Sequence, residues 1–267
     1  MQTLASACRA VLLAAQPYEK VRAARAVARA WRRGQLQHAF DVRMPDRPAR
    51  PERPELLPAS RMPKRGRGGS ERGRIAMLHA LAHIEFGAID LAFDMAGRFG
   101  GAFPREFAGD WIGVGADEAI HFALLDRRLR ALGSTYGALP AHDGLWEAAE
   151  ATAQDAVARL AVVPMVLEAR GLDVTPATVE RFEAAGDMRS AAILSRIYND
   201  EIRHVRVGTK WFAHACEARR IEPVSEWKRL VRTHFRGSIK PPFNDSARDQ
   251  AGLSRDFYGG VDAEGYV

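Results

Sequence analysis

Two pentapeptides, Asp117-Glu118-Ala119-Ile120-His121 and Asp200-Glu201-Ile202-Arg203-His204, carry the strongest chemical signal in this chain. Each sets a carboxylate three residues from an imidazole, so on a helix the two side chains are neighbours on one face and can grip one metal ion together. Random order, with 8 His and 17 Glu in 267 residues, gives roughly 0.5 Glu-x-x-His pairs. Both pairs present also carry the preceding Asp. Two lone glutamates complete the pattern: Glu85 lies 33 residues before Glu118, and Glu168 lies 33 before Glu201. The site therefore repeats at an offset of 83 residues.

One Glu from each of two helices and Glu-x-x-His from each of two others make up the ligand set of dimetal-carboxylate helix bundles. The expected ligands are Glu85, Glu118, His121, Glu168, Glu201 and His204. Four glutamates and two neutral imidazoles carry a charge of about −4, which two divalent cations balance. Mixed oxygen and imidazole donors suit iron first, with manganese as the alternative. Asp117 and Asp200 point about 100° away from the ligands and are expected to orient a histidine through its ring N–H. Tyr198, three residues before Glu201, shares its face and is a possible redox or hydrogen-bonding neighbour. His79 and His83 read as hydrogen-bonded helix histidines, and His142 and His214 receive no role.

These side chains need long helices. Residues 3 to 32 show helical spacing interrupted near Pro17, followed from 40 to 68 by six prolines that exclude regular helix. Bundle helices are expected over 70–98 (Glu85), 104–132 (Glu118, His121), 144–170 (Glu168) and 188–218 (Glu201, His204). Asp143 and Asp187 are the expected N-caps of the last two, Pro164 should kink the third, and Gly171 should end it. Thr175-Pro176 reads as the start of a separate short helix, 223–236 as a last amphipathic helix, and the remainder as an irregular tail. The class is all-α. The expected organisation is an N-terminal segment and arm (1–69), a four-helix bundle (70–220) and a C-terminal helix with tail (221–267).

With 47% hydrophobic and 27% charged residues the composition is that of a globular protein. No uninterrupted apolar run reaches the ~18 residues of a membrane span and no leader pattern opens the chain, so a cytoplasmic protein without a membrane partner is expected. Cys8 and Cys216 form no metal-binding spacing. The net charge of +6 resides by count in residues 43–74, a basic arm that could meet RNA or pair with acidic helix surfaces.

The two Asp-Glu-x-x-His motifs with Glu85 and Glu168 resemble the ferritin-like superfamily. The stretches Leu78-His79-Ala80-Leu81-Ala82-His83-Ile84-Glu85, Pro140-Ala141-His142-Asp143-Gly144-Leu145-Trp146, Leu167-Glu168-Ala169-Arg170-Gly171-Leu172-Asp173 and Pro242-Phe243-Asn244 bring the chain closer to an uncharacterised bacterial ferritin-like family, a domain of unknown function akin to the di-iron tRNA hydroxylases. The resemblance implies a ferritin-like four-helix bundle with a dimetal centre on the six ligands. The leading expectation is an O2-dependent di-iron oxidoreductase, a hydroxylase or oxidase acting on an organic substrate. No Gly-x-Gly-x-x-Gly fingerprint precedes a helix, so its electrons must come from an external donor. The competing expectations are a ferroxidase or iron-handling protein and a metal-free helical RNA-binding or adaptor module.

Overall fold

The computed structural model describes residues 1–63 and 70–260; the expectations for 64–69 and 261–267 lie outside the described residues. Among the described residues the protein is all-α, and extended pairing is limited to single bridges, Thr3 with Gln37 and Leu56 with Ala141. Two compact units divide the chain, Met1–Trp146 and Glu147–Val267.

The first unit opens with α1 (Leu4–Leu13) and α2 (Pro17–Arg32), separated where Pro17 begins a new helix. The arm then runs without α-helix, having only a single 3₁₀ turn at Ala59–Arg61 among its described residues. It is pinned by charge. Arg50 pairs with the buried Asp90, Arg47 pairs with Asp143, and the Asp46 carbonyl accepts from Trp146 Nε1 at 3.2 Å. Asp90 is also reached by Lys20, whose fully buried Nζ donates at 2.5 Å and takes the Val11 and Leu12 carbonyls as its other partners.

Helix α3 (Glu71–Phe99) is capped by Ser70, whose hydroxyl accepts from Gly73 N, and α4 (Arg105–Ala131) follows after a short turn. A connection this short makes the two antiparallel neighbours, and their contact is the most extensive between any two helices. Gly115 permits the close approach, since a Cβ there would lie 2.6 Å from the Phe93 ring. The segment Glu71–Ala102 contains an 18-residue window long and apolar enough to cross a membrane, but 61% of that window is buried within the protein. Its apolar character thus serves largely as core.

In the second unit the expected single helix over 144–170 is broken. Helix α5 (Gly144–Ala151) ends, and α6 (Ala156–Val162) starts afresh with Asp155 as its N-cap, accepting from Val157 N at 2.9 Å. The buried Arg159 reaches back to Thr152 Oγ1 at 2.8 Å and to the Ala149 carbonyl at 2.5 Å, satisfying the end of α5. Pro164, expected to kink the helix, lies in a π-helical stretch, Val163–Glu168. Its missing N–H removes one rung of the ladder, and the extra residue per turn absorbs the loss.

Gly171 does not stop the helix, and Thr175-Pro176 does not start one. Helix α7 (Ala169–Ala184) runs through both. Pro176 deprives the Leu172 carbonyl, four residues earlier, of its donor, and Asn244 Nδ2 supplies the replacement at 3.2 Å. A tail residue thus permits a helix that local sequence forbids. That tail is not wholly irregular: after α8 (Met188–Arg219), capped by Asp187, and α9 (Pro223–His234), it forms α10 (Asp245–Gln250) and α11 (Arg255–Tyr258). Arg248 of α10 makes a buried bidentate pair with Asp173 of α7 at 2.7 and 2.8 Å. Small helices too short to persist alone are held by this pairing.

Candidate metal centre

In the first unit the hairpin geometry brings three ligand-type residues together. Glu85 is 14 residues before the end of α3 and Glu118 is 13 after the start of α4, so both stand about 20 Å from the turn at 1.5 Å per residue. His121, one turn beyond Glu118, completes the group. Its Nδ1 lies 3.1 Å from Glu85 Oε2 and 3.1 Å from Glu118 Oε2, and the three ligand atoms fall within 4.8 Å of one another. Glu85, Glu118 and His121 are 5%, 1% and 0% exposed, so the two carboxylates face each other with almost no water to screen them.

The electrostatics follow from that burial. Desolvation, then the neighbouring Glu118 charge, raises the Glu85 carboxyl well above its ordinary range. Burial alone would lower the His121 pKa, but hydrogen bonds and charge from Glu118 and Glu85 outweigh it and push it up to about 11. His121 Nδ1, 3.1 Å from an oxygen of each carboxylate, thus ties the two acidic side chains into one group. Two donors ~2.1 Å from one ion and at right angles would be ~3.0 Å apart, which the 3.1 Å contacts match. This buried Glu/His group could hold a metal ion.

The second unit places its corresponding residues at similar depths along its helices. Glu168 closes the π-helical stretch and lies 16 residues before the end of α7; His204 lies 16 after the start of α8, with Glu201 one turn earlier. His204 Nδ1 is 3.4 Å from Glu201 Oε1, the imidazole being fully buried and the Glu201 side chain 12% exposed. Gly208, one turn past His204, accommodates Pro164. The sequence offset of 83 thus relates Glu85, Glu118 and His121 to Glu168, Glu201 and His204.

The remaining expected site residues stand as follows. Asp117 is half-buried on α4. Asp200 contacts Arg203 at 3.2 Å and Arg196 at 3.9 Å. Because His121 turns Nδ1 toward the carboxylates, an aspartate orienting that ring would have to accept from Nε2. The Tyr198 hydroxyl accepts from Asn244 Nδ2 at 3.0 Å. His79 Nε2 accepts from Gly137 N at 2.9 Å, and His83 binds the Tyr136 hydroxyl at 2.9 Å and the His142 carbonyl. Both are hydrogen-bonded helix histidines, as their spacing predicted. Sequence reasoning missed the supports of the site: the Lys20–Asp90–Arg50 cluster, Asn244, and the Pro164–Gly208 match. Two aspartates, Asp90 and Asp94, within an otherwise apolar stretch were the available signal.

Comparison with known proteins places this chain among relatives. A family model described as "Protein of unknown function (DUF455)" matches residues 13–259. An uncharacterised protein of Haemophilus influenzae is 41% identical over 211 residues, covering 77% of this chain and 73% of its own length. No solved structure matches.

Proposed function

The chain belongs to the DUF455 family, and from that premise and the convergent carboxylates of α3 and α4 we propose that it is a dimetal-carboxylate protein, an O2-dependent oxidoreductase built on a ferritin-like four-helix bundle. The observation that carries the reading is the buried group of Glu85, Glu118 and His121, together with its repetition at an offset of 83 residues. Glu168, Glu201 and His204 supply the second half of the ligand set. The bundle helices are α3, α4, the α6–α7 run through the π-helical stretch, and α8.

Two divalent metal ions, iron first and manganese as the alternative, would supply the redox chemistry that passes electrons to O2 and withdraws them from a bound organic substrate, the external donor balancing the remainder. The residues of the chain do the rest. Glu85 and Glu118 give up any bound proton and offer anionic oxygens. His121 releases the Nδ1 proton and offers that lone pair, so loading expels protons and depends on pH. The buried apolar walls of α3 and α4 keep bulk water from the oxidising centre. Asp117 and Asp200 serve as positioning residues beside the histidines. An external donor supplies reductant in a cytoplasmic setting.

Elemental analysis after anaerobic loading with ferrous iron tests this reading. Close to two metal ions per chain are expected, with loss of metal in Glu118→Ala and Glu201→Ala and retention in His142→Ala. Absence of metal after loading would overturn it. An oxygen pulse then separates oxidase from storage, because accumulation of an iron mineral in place of substrate-dependent turnover would favour iron handling.

A further inference from the structure

Charge counting along the sequence directs attention to the arm, yet the arm's Arg47 and Arg50 are spent on Asp143 and Asp90. A regular row of exposed charge lies elsewhere, on α2. Arg22, Arg25, Arg29 and Arg32 of α2 are all exposed, and among the described residues no acidic side chain pairs with any of them. With Tyr18 they follow the spacing i, i+4, i+7, i+11, i+14. At about 100° per residue these five side chains fall within about 80° of one another, in a row whose arginines span about 15 Å. Arg22 stacks over Tyr18, its guanidinium carbon 5.6 Å from the ring centroid, and the Tyr18 side of the row remains open, with that residue 71% exposed.

We propose that this outward face of α2, Tyr18 with Arg22, Arg25, Arg29 and Arg32, binds single-stranded nucleic acid. Like charges three and four residues apart on a helix repel, and only Glu19 offsets them within α2. A polyanionic strand removes that repulsion and releases counterions. The tyrosine at the end of the row adds an aromatic surface on which an unpaired base stacks, the combination that single-strand binders use. A bilayer fits less well. The opposite face of α2, including Ala24 and Ala28, is buried, with α4 its principal packing partner, so no apolar face remains for insertion among lipids. A duplex offers the same phosphates but no free base for Tyr18. This inference stands apart from the metal reading and fails or succeeds without it.

Fluorescence anisotropy of the full chain with a labelled oligouridylate about 12 nucleotides long, titrated upward from about 50 mM salt, tests the proposal. Four phosphate contacts predict a slope of about −2.8 in log K against log salt. Arg25→Gln/Arg29→Gln should reduce the slope by about 1.4. Tyr18→Ala should weaken binding about tenfold with the slope unchanged. Thermal melts of the variants should match the parent, which separates lost binding from lost fold. No binding at low salt, binding indifferent to the double substitution, tighter capture on phosphatidylserine vesicles, or equal affinity for a duplex would each overturn it.

Discussion

Gly208 and Pro164 are matched across the contact between α8 and the π-helical stretch: a Cβ on Gly208 would meet Pro164 Cβ at 2.4 Å and Cγ at 2.5 Å. Neither atom can retreat, because the proline ring is tied to its own backbone. Gly208→Ala should therefore destabilise the protein by about 1–3 kcal/mol through overpacking. Adding Pro164→Ala should recover part of the loss. Urea unfolding of the two single variants and the double provides the check, and strict additivity would show that the residues do not constrain each other.

Asn244 substitutes for the donor that Pro176 lacks. Asn244→Ala strands the Leu172 carbonyl and should cost about 1–3 kcal/mol. In a Pro176→Ala background residue 176 regains its N–H, so the same substitution should cost measurably less. A double-mutant cycle by chemical denaturation reads the difference.

The buried Lys20–Asp90 pair, both side chains fully enclosed, makes a harsher prediction. Lys20→Met removes one partner of an ion pair inside the core and should cost about 3–5 kcal/mol. Lys20→Met/Asp90→Asn should be less damaging than the single change, since Asp90 no longer carries charge. Comparison of the two midpoints decides the matter.

Metal should stabilise the fold. Placing Glu85 and Glu118 side by side raises the Glu85 carboxyl, and a cation that binds only the folded chain adds about 2.7 kcal/mol at 100 times its dissociation constant. Scanning calorimetry with added manganous or anaerobic ferrous ion should show a rising Tm in the parent and a much smaller rise in Glu118→Ala. An equal response in both would mean that the ion acts elsewhere.

Acid should weaken α9, where Glu226 and Arg229 pair one turn apart. The hydrogen bond from Arg229 holds the Glu226 carboxyl below its ordinary value of 4.5, so the folded state prefers the charged form. The unfolded chain then binds more protons as pH falls, and the stabilisation present above pH 4.5 is lost as pH passes through the folded-state value. The stability gap between the parent and Glu226→Gln should be open at about pH 7 and should narrow as pH falls through the lowered folded-state value. A gap independent of pH would assign the effect to packing.

The sequence by itself determined the helical class, the cap Asp187, and the break at Pro17, because each depends on spacing or on one residue's local chemistry. It also singled out Glu85, Glu118 and His121, since a carboxylate amid apolar neighbours demands a partner. What lay beyond it was every feature set by residues distant in the chain. Pro176 reads locally as a helix start, and only Asn244, 68 residues on, overrides that reading by satisfying the Leu172 carbonyl. Arg159 ends α5 from within the next helix, and α10 forms where the tail packs through Arg248 on Asp173. Net charge could be counted from the sequence, but ion pairing could not. Tertiary structure spends the arm's Arg47 and Arg50 on Asp143 and Asp90 and leaves the arginines of α2 facing water, because a charge is neutralised by what lies next to it in space.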